Sequence, residues 1–137
     1  MQVLLAKSAG FCYGVRRAVE LAEKMVTDGE QPAMLGPVIY NSQVIEDLCN
    51  RGARLIQRPE EAKPGETVII RAHGEPERTY QILQDRGCRV VDGTCPHVRR
   101  IQAIARDARD QGRQMVLIGD PDHPEIRGIC GWGRDIL

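Results

Sequence analysis

Aromatic side chains are scarce: one tryptophan, one phenylalanine and three tyrosines make up 4% of 137 residues. That removes the stacking platforms on which single-stranded nucleic acids are bound. Charge of one sign is lacking as well. Nineteen Lys and Arg balance nineteen Asp and Glu, for a formal net charge of zero, so there is no bulk attraction to nucleic acid or to an anionic membrane. No apolar run approaches the length of a membrane span, and the opening MQVLLAKSAG is too short in apolar residues for a secretory signal. The five cysteines are odd in number and contain no Cys-x-x-Cys pair. That points to a reducing cytoplasm and to thiols that are free or bind metal, not to a disulfide framework. No internal repeat or low-complexity tract is present. What remains is ordinary soluble-domain composition, 42% hydrophobic and 28% charged, long enough for one domain with a sizeable core.

The hydrophobic pattern alternates between two periods. Short apolar runs at 3–6 (VLLA), 33–35 (AML), 53–56 (ARLI), 67–72 (TVIIRA), 88–91 (CRVV) and 115–119 (MVLIG) read as buried strands. Between them, Val15, Ala18, Val19, Ala22, Met25 and Val26 fall at helical spacing and end near Asp28-Gly29. Asn41 or Ser42 can cap a helix carrying Val44, Ile45 and Leu48. Pro76 and Pro96 suit the first turns of two more helices, the latter with Val98, Ile101, Ala105 and Ala108 on one face. Strands alternating with amphipathic helices predict an α/β fold, a mostly parallel sheet flanked by helices. QRPEEAKPGE at 57–66 reads as a loop, and the DHPE stretch at 122–125 reads as a turn because Asp-Pro and His-Pro resist helix.

Chemistry-bearing residues follow the predicted strands one by one. Cys12 follows the first, Tyr40-Asn41 the second, and His73, Cys95 and the pair His123 and Glu125 follow later ones. In parallel α/β sheets the carboxyl edge is where ligands bind, because helix N-termini and loops converge there. Each residue also has a plainer reading. A free cysteine is more often a small buried apolar side chain than a ligand, and Cys49, Cys88 and Cys130 are read that way. Cys12 and Cys95 differ because each precedes a helix, whose electropositive start favours thiolate, the form that binds metal. His97, inside the first turn of a helix, reads as a surface residue. The arginines at 99, 100, 106, 109 and 113 read as a solvated helix face, since Asp107 and Asp110 interrupt them. Two thiolates from separate loops cannot complete a four-ligand metal site. With one more they would hold an iron–sulfur cluster, and nearby imidazoles and helix starts suit an anion such as diphosphate.

In order and spacing, MQVLLAKSAGFCYGV, LGPVIYN, RAHG, VDGTCPHV and LIGDPDHPEIRG resemble the N-terminal part of the LytB family of 4-hydroxy-3-methylbut-2-enyl diphosphate reductases, over essentially the whole chain. The resemblance implies a trefoil-like enzyme of three α/β domains around a [4Fe–4S] cluster held by three cysteines. Residues 1–95 would form the first domain, carrying the Cys12, Tyr40-Asn41, His73 and Cys95 loops. Residues 96–137 would begin a second, truncated one, with Ile136-Leu137 at the start of a strand. Cys12 and Cys95 then match cluster ligands, His73 and His123 match substrate-binding residues, and Glu125 matches the acid that delivers protons. The third cysteine belongs to a part absent here. The implied reaction takes two electrons from ferredoxin or flavodoxin, releases water and yields isopentenyl and dimethylallyl diphosphate, the last step of non-mevalonate isoprenoid synthesis. Its setting would be the cytoplasm, with neither a membrane nor a nucleic acid as partner. Tyr40 departs from the family's histidine. A phenol donates a hydrogen bond but carries no positive charge, so either weaker diphosphate binding or a geometry that compensates is expected. The alternative is a non-catalytic α/β module that binds metal or phosphate, or an inactive truncated product.

Overall fold

The computed structural model describes residues 2–137. Four parallel strands, β1 (Ala33–Leu35), β2 (Arg54–Ile56), β3 (Thr67–Ile70) and β4 (Arg89–Asp92), form one sheet in the order β2-β1-β3-β4. Five helices accompany them: α1 (Tyr13–Thr27), α2 (Ser42–Asn50), α3 (Glu77–Asp85), α4 (Pro96–Asp110) and α5 (Pro124–Cys130). Alternation along each strand splits the core into two. Met34 and Ile69 face a cluster with Ala18, Ala22 and Leu48 of α1 and α2. Leu35, Val68 and Ile70 face the other side, against Leu83 of α3. A strand covered on both faces needs apolar residues at nearly every position, which is why the central strands β1 and β3 read as continuous apolar runs, while the edge strands β2 and β4 also carry Arg54, Arg89 and Asp92.

The chain leaves β1 through α2 to reach β2 on one side, while β3 and β4 lie on the other. The order therefore reverses between β1 and β3, and the loops leaving those two strands flank the crevice where α/β sheets bind ligands. Helix starts follow the expected chemistry. Asn41 accepts a hydrogen bond from the Val44 amide at 3.2 Å, and Pro96 occupies the first turn of α4. Pro76 is the N-cap of α3 and not a residue inside it.

Three expectations need correction. Residues 3–6 form no strand; Val3, Leu4 and Leu5 are 79%, 84% and 87% exposed. An apolar run becomes a strand only where a neighbour satisfies its backbone, and none of the four strands pairs with it. Residues 115–119 likewise form no assigned strand. However, the Leu117 amide donates to the Leu137 carbonyl (2.7 Å) and the Leu137 amide to the Met115 carbonyl (3.1 Å), the hydrogen-bond pattern of a parallel pair. The DHPE stretch is not simply a turn. It starts α5, with His123 as N-cap and Pro124 in the first turn, where proline's fixed φ and missing N–H are no handicap. Thus Cys12 and His123 precede helices without following assigned strands.

Candidate active site

The parallel register of β3 and β4 carries on past the strands. The Gly93 amide donates to the Ile70 carbonyl and the Cys95 amide to the Ala72 carbonyl, both at 2.9 Å. This brings Cys95 alongside the His73 turn. Across the crevice, the Ala72 amide donates to the Val38 carbonyl at 3.3 Å, and the rings of Tyr40 and His73 come within 5.0 Å, centroid to centroid. α5 closes the other side. A methyl at Gly128 would stand 3.3 Å from the Gly74 carbonyl oxygen, and one at Gly131 2.7 Å from Pro76 Cα, so the helix rests on the 73–76 backbone. The indole N–H of Trp132 donates to the Glu75 carbonyl at 2.9 Å and fixes the same contact.

These contacts produce a cavity of about 260 Å³ lined by Cys12, Cys95, His73 and Glu125, together with Gly14 and His97. Four of the five residues singled out in the sequence share it. The fifth, His123, stands beside His73 with ring centroids 5.7 Å apart. His123 Nδ1 accepts a hydrogen bond from the Glu125 amide at 3.2 Å, which leaves Nε2 to carry the proton of the neutral ring and to donate. Asn41 is occupied in capping α2. Sequence reasoning left His97 as a surface residue. It is exposed, yet it lines the cavity, a position visible in hindsight from its place two residues after Cys95. Gly14 left no signal beyond its distance from Cys12. Cys49 packs against the core beside α1, as expected of a small apolar side chain, and the arginine face of α4 is tied to acids, with Arg109 2.5 Å from Glu77 and Arg99 2.7 Å from Asp92.

His73 is half-buried, and burial is the main reason its pKa lies below the ordinary histidine value; the charges of Arg71 and His123 act in the same direction. Its Nδ1 has no hydrogen-bond partner among the described residues. A buried imidazole nitrogen without a partner is costly. The turn that carries His73 is bracketed by the Arg71–Glu75 pair at 2.8 Å.

Cys12 and Cys95 cap the starts of α1 and α4 without making side-chain hydrogen bonds to them. Their sulfurs are therefore uncommitted, and two thiols in one cavity fit two ligands of an iron–sulfur cluster. Among the described residues no group of three or more His, Cys, Asp or Glu side chains is arranged to hold a metal ion, so these residues supply part of such a ligand set. No helix among the described residues is long and apolar enough to cross a membrane.

Fold and site together define an open parallel α/β unit that presents thiols, imidazoles and a carboxyl at its carboxyl edge. The LytB protein family model matches residues 3–137, and the chain belongs to that family. It is 38% identical over 139 residues to the 4-hydroxy-3-methylbut-2-enyl diphosphate reductase of Caldanaerobacter subterraneus subsp. tengcongensis, covering 98% of this chain and 48% of that one. It is 41% identical over 134 residues to the enzyme of the same name from Alkaliphilus oremlandii, covering 96% and 48%. A solved (E)-4-hydroxy-3-methyl-but-2-enyl diphosphate reductase, described as the terminal enzyme of the non-mevalonate pathway, superposes with a TM-score of 0.81 at 38% identity. The Plasmodium falciparum reductase does so with a TM-score of 0.86 at 25% identity, over 92% of this chain and 40% of that one. The chain spans about half the length of the curated relatives it matches.

Proposed function

We propose that this chain is the N-terminal half of a reductase that converts 4-hydroxy-3-methylbut-2-enyl diphosphate to isopentenyl and dimethylallyl diphosphate. The observation that carries this reading is the single cavity shared by Cys12, Cys95, His73 and Glu125. Cys12 and Cys95 would hold a [4Fe–4S] cluster as thiolates, with further ligands from the rest of the enzyme. When bound, such a cluster supplies the electrons and a Lewis-acidic iron at which an allylic hydroxyl is activated.

The protein's own residues perform the remaining tasks. His73 and His123 bind the diphosphate, His123 by donating from Nε2. His73, held neutral by burial, gains a proton more readily once an anion lies beside it. The Tyr40 phenol, next to the His73 ring, donates a third hydrogen bond without adding charge. Glu125, in the first turn of α5 and lining the same cavity, carries the protons. Loss of the hydroxyl as water takes one proton, formation of the new C–H bond takes another, and two electrons balance them. Ferredoxin or flavodoxin in the cytoplasm is the proposed electron donor.

Anaerobic turnover of the diphosphate, followed by chromatography of the two products, tests this reading. Tyr40→His is expected to lower KM about three- to tenfold, since a charge-assisted hydrogen bond is roughly twice as strong as a neutral one. An unchanged KM removes Tyr40 from the diphosphate site, and absence of both products from the complete enzyme overturns the function.

A further inference from the structure

The two thiols of the cavity come from the starts of two different helices, and the first helix grips the loop that carries the second thiol. α1 touches the Asp92–Cys95 segment at three places. Arg17 donates from both terminal guanidinium nitrogens, Nη2 to the Asp92 carbonyl at 3.2 Å and Nη1 to the Thr94 carbonyl at 3.3 Å. Ala18 lies against Gly93, where an added methyl would stand 3.5 Å from the Ala18 Cβ. Gly14 lies against Cys95 itself. A Cβ at position 14 would stand 2.6 Å from Cys95 Sγ and 2.9 Å from Cys95 Cβ, closer than real atoms come.

Gly14 has no backbone reason to be glycine. It lies in the first turn of α1, outside the set of residues with positive φ, where alanine forms helix better. What excludes a side chain there is the Cys95 thiol.

We propose that Gly14 and Arg17 are positioning residues that set the distance between the Cys12 and Cys95 thiols. Gly14 lets the first turn of α1, whose N-cap is Cys12, come down onto the Cys95 side chain. Arg17 holds the peptide groups just ahead of Cys95 in place. A methyl at position 14 pushes the Cys95 sulfur or the whole helix start aside, and loss of the guanidinium frees the loop. The inference deepens the proposed function and rests on the pairing of these thiols. Its test contains no iron and no substrate, so its failure is distinguishable from failure of the reductase reading.

The 137-residue chain carrying Cys49→Ser, Cys88→Ser and Cys130→Ser keeps only the pair in question. Dibromobimane is a short reagent that bridges two thiols and becomes fluorescent once both arms have reacted. The parent is expected to close the bridge. Gly14→Ala is expected to lower bridge yield at least fivefold, while single-arm labelling of the exposed Cys12 by monobromobimane stays within twofold and circular dichroism is unchanged. Arg17→Gln is expected to lower the yield in the same direction, with Arg17→Lys, which keeps one donor group, in between. Parent-level closure in Gly14→Ala overturns the role of Gly14, and parent-level closure in Arg17→Gln overturns that of Arg17. Absence of closure in the parent overturns both. If Gly14→Ala fails to fold, the Arg17 series decides.

Discussion

Replacing Glu125 with glutamine is expected to lower kcat of the reductase by about 10²–10⁴-fold, the usual contribution of a positioned proton donor. Glutamine keeps the size of the side chain, and the backbone amide that donates to His123 Nδ1 is untouched. What the substitution removes is the transferable proton. A hydroxyl leaves as water only when protonated, and the carbon that gains hydrogen needs a second proton. In the proposed function both demands fall on Glu125, which lines the cavity with the two cysteines. KM and bound iron are expected to stay within about twofold, because neither the imidazoles nor the thiols are altered. Steady-state kinetics with iron quantified on the same samples checks this. A kcat within threefold of the parent assigns the proton to another group, with His97 the next residue lining the cavity.

Gly74→Ala is expected to cost about 2–4 kcal/mol of stability, the sum of a left-handed backbone forced on alanine and steric overlap. Gly74 has φ of +73°, and a methyl there would overlap Gln102 Nε2 and stand 2.9 Å from Thr94 Cγ2. Gln102 and Thr94 are both buried, so neither swings out into solvent. For a domain of this size the loss is roughly a 10 °C drop in Tm. Gly65→Ala is the control. It has a similar φ of +75° with nothing within 4 Å of the added methyl, so it bears only the backbone part, about 1 kcal/mol. Equal Tm shifts for the two variants would mean that the 73–74 turn is free to move, contrary to the packing that holds His73. Because His73 is the next residue, Gly74→Ala is also expected to weaken diphosphate binding.

Much of this arrangement was legible in the residues, and the failures have definite causes. The central strands at 33–35 and 67–70 are legible because burial on both faces leaves short apolar runs, and the partly exposed edge strands at 54–56 and 89–92 are legible from Leu55-Ile56 and Val90-Val91. Residues 3–6 give the same run without a strand. Periodicity reports that a segment wants burial; it says nothing of which backbone will pair with it. Met115 to Leu117 shows an intermediate case, paired through backbone hydrogen bonds to Leu137 while Val116 and Ile118 remain 66% and 93% exposed. α5 is hidden by Pro124 in its first turn and Pro121 just ahead of it. By composition the DHPE stretch reads as a turn, although proline in a first turn, Glu125 beside it and Arg127 in the last turn are the marks of a short helix.

Part of the grouping is legible because loops at a parallel sheet's carboxyl edge converge, and residues far apart in sequence share one cavity. Tyr40, His73 and Cys95 do follow assigned strands. Cys12 and Glu125 reach the cavity differently, from helix starts that other contacts bring in: α1 by Gly14 and Arg17, α5 by Gly128 and Gly131. Those contacts are made by the Arg17 guanidinium on backbone carbonyls and, at the three glycines, by absent side chains. Sequence periodicity does not register them, which is why Gly14, Arg17 and Gly128 went unmarked while the cysteines beside them did not.

The central claim is that Cys12 and Cys95 act together as thiolate ligands. Its most direct measurement is bound iron after anaerobic incubation of the 137-residue chain with ferrous iron, sulfide and excess small-molecule thiol, which can complete the ligand set. Bound iron is expected to fall to background on Cys12→Ser or on Cys95→Ser and to be unchanged by Cys49→Ser, Cys88→Ser or Cys130→Ser. Iron retained at the parent level by both the Cys12 and Cys95 variants, or no bound iron in the parent, contradicts the claim.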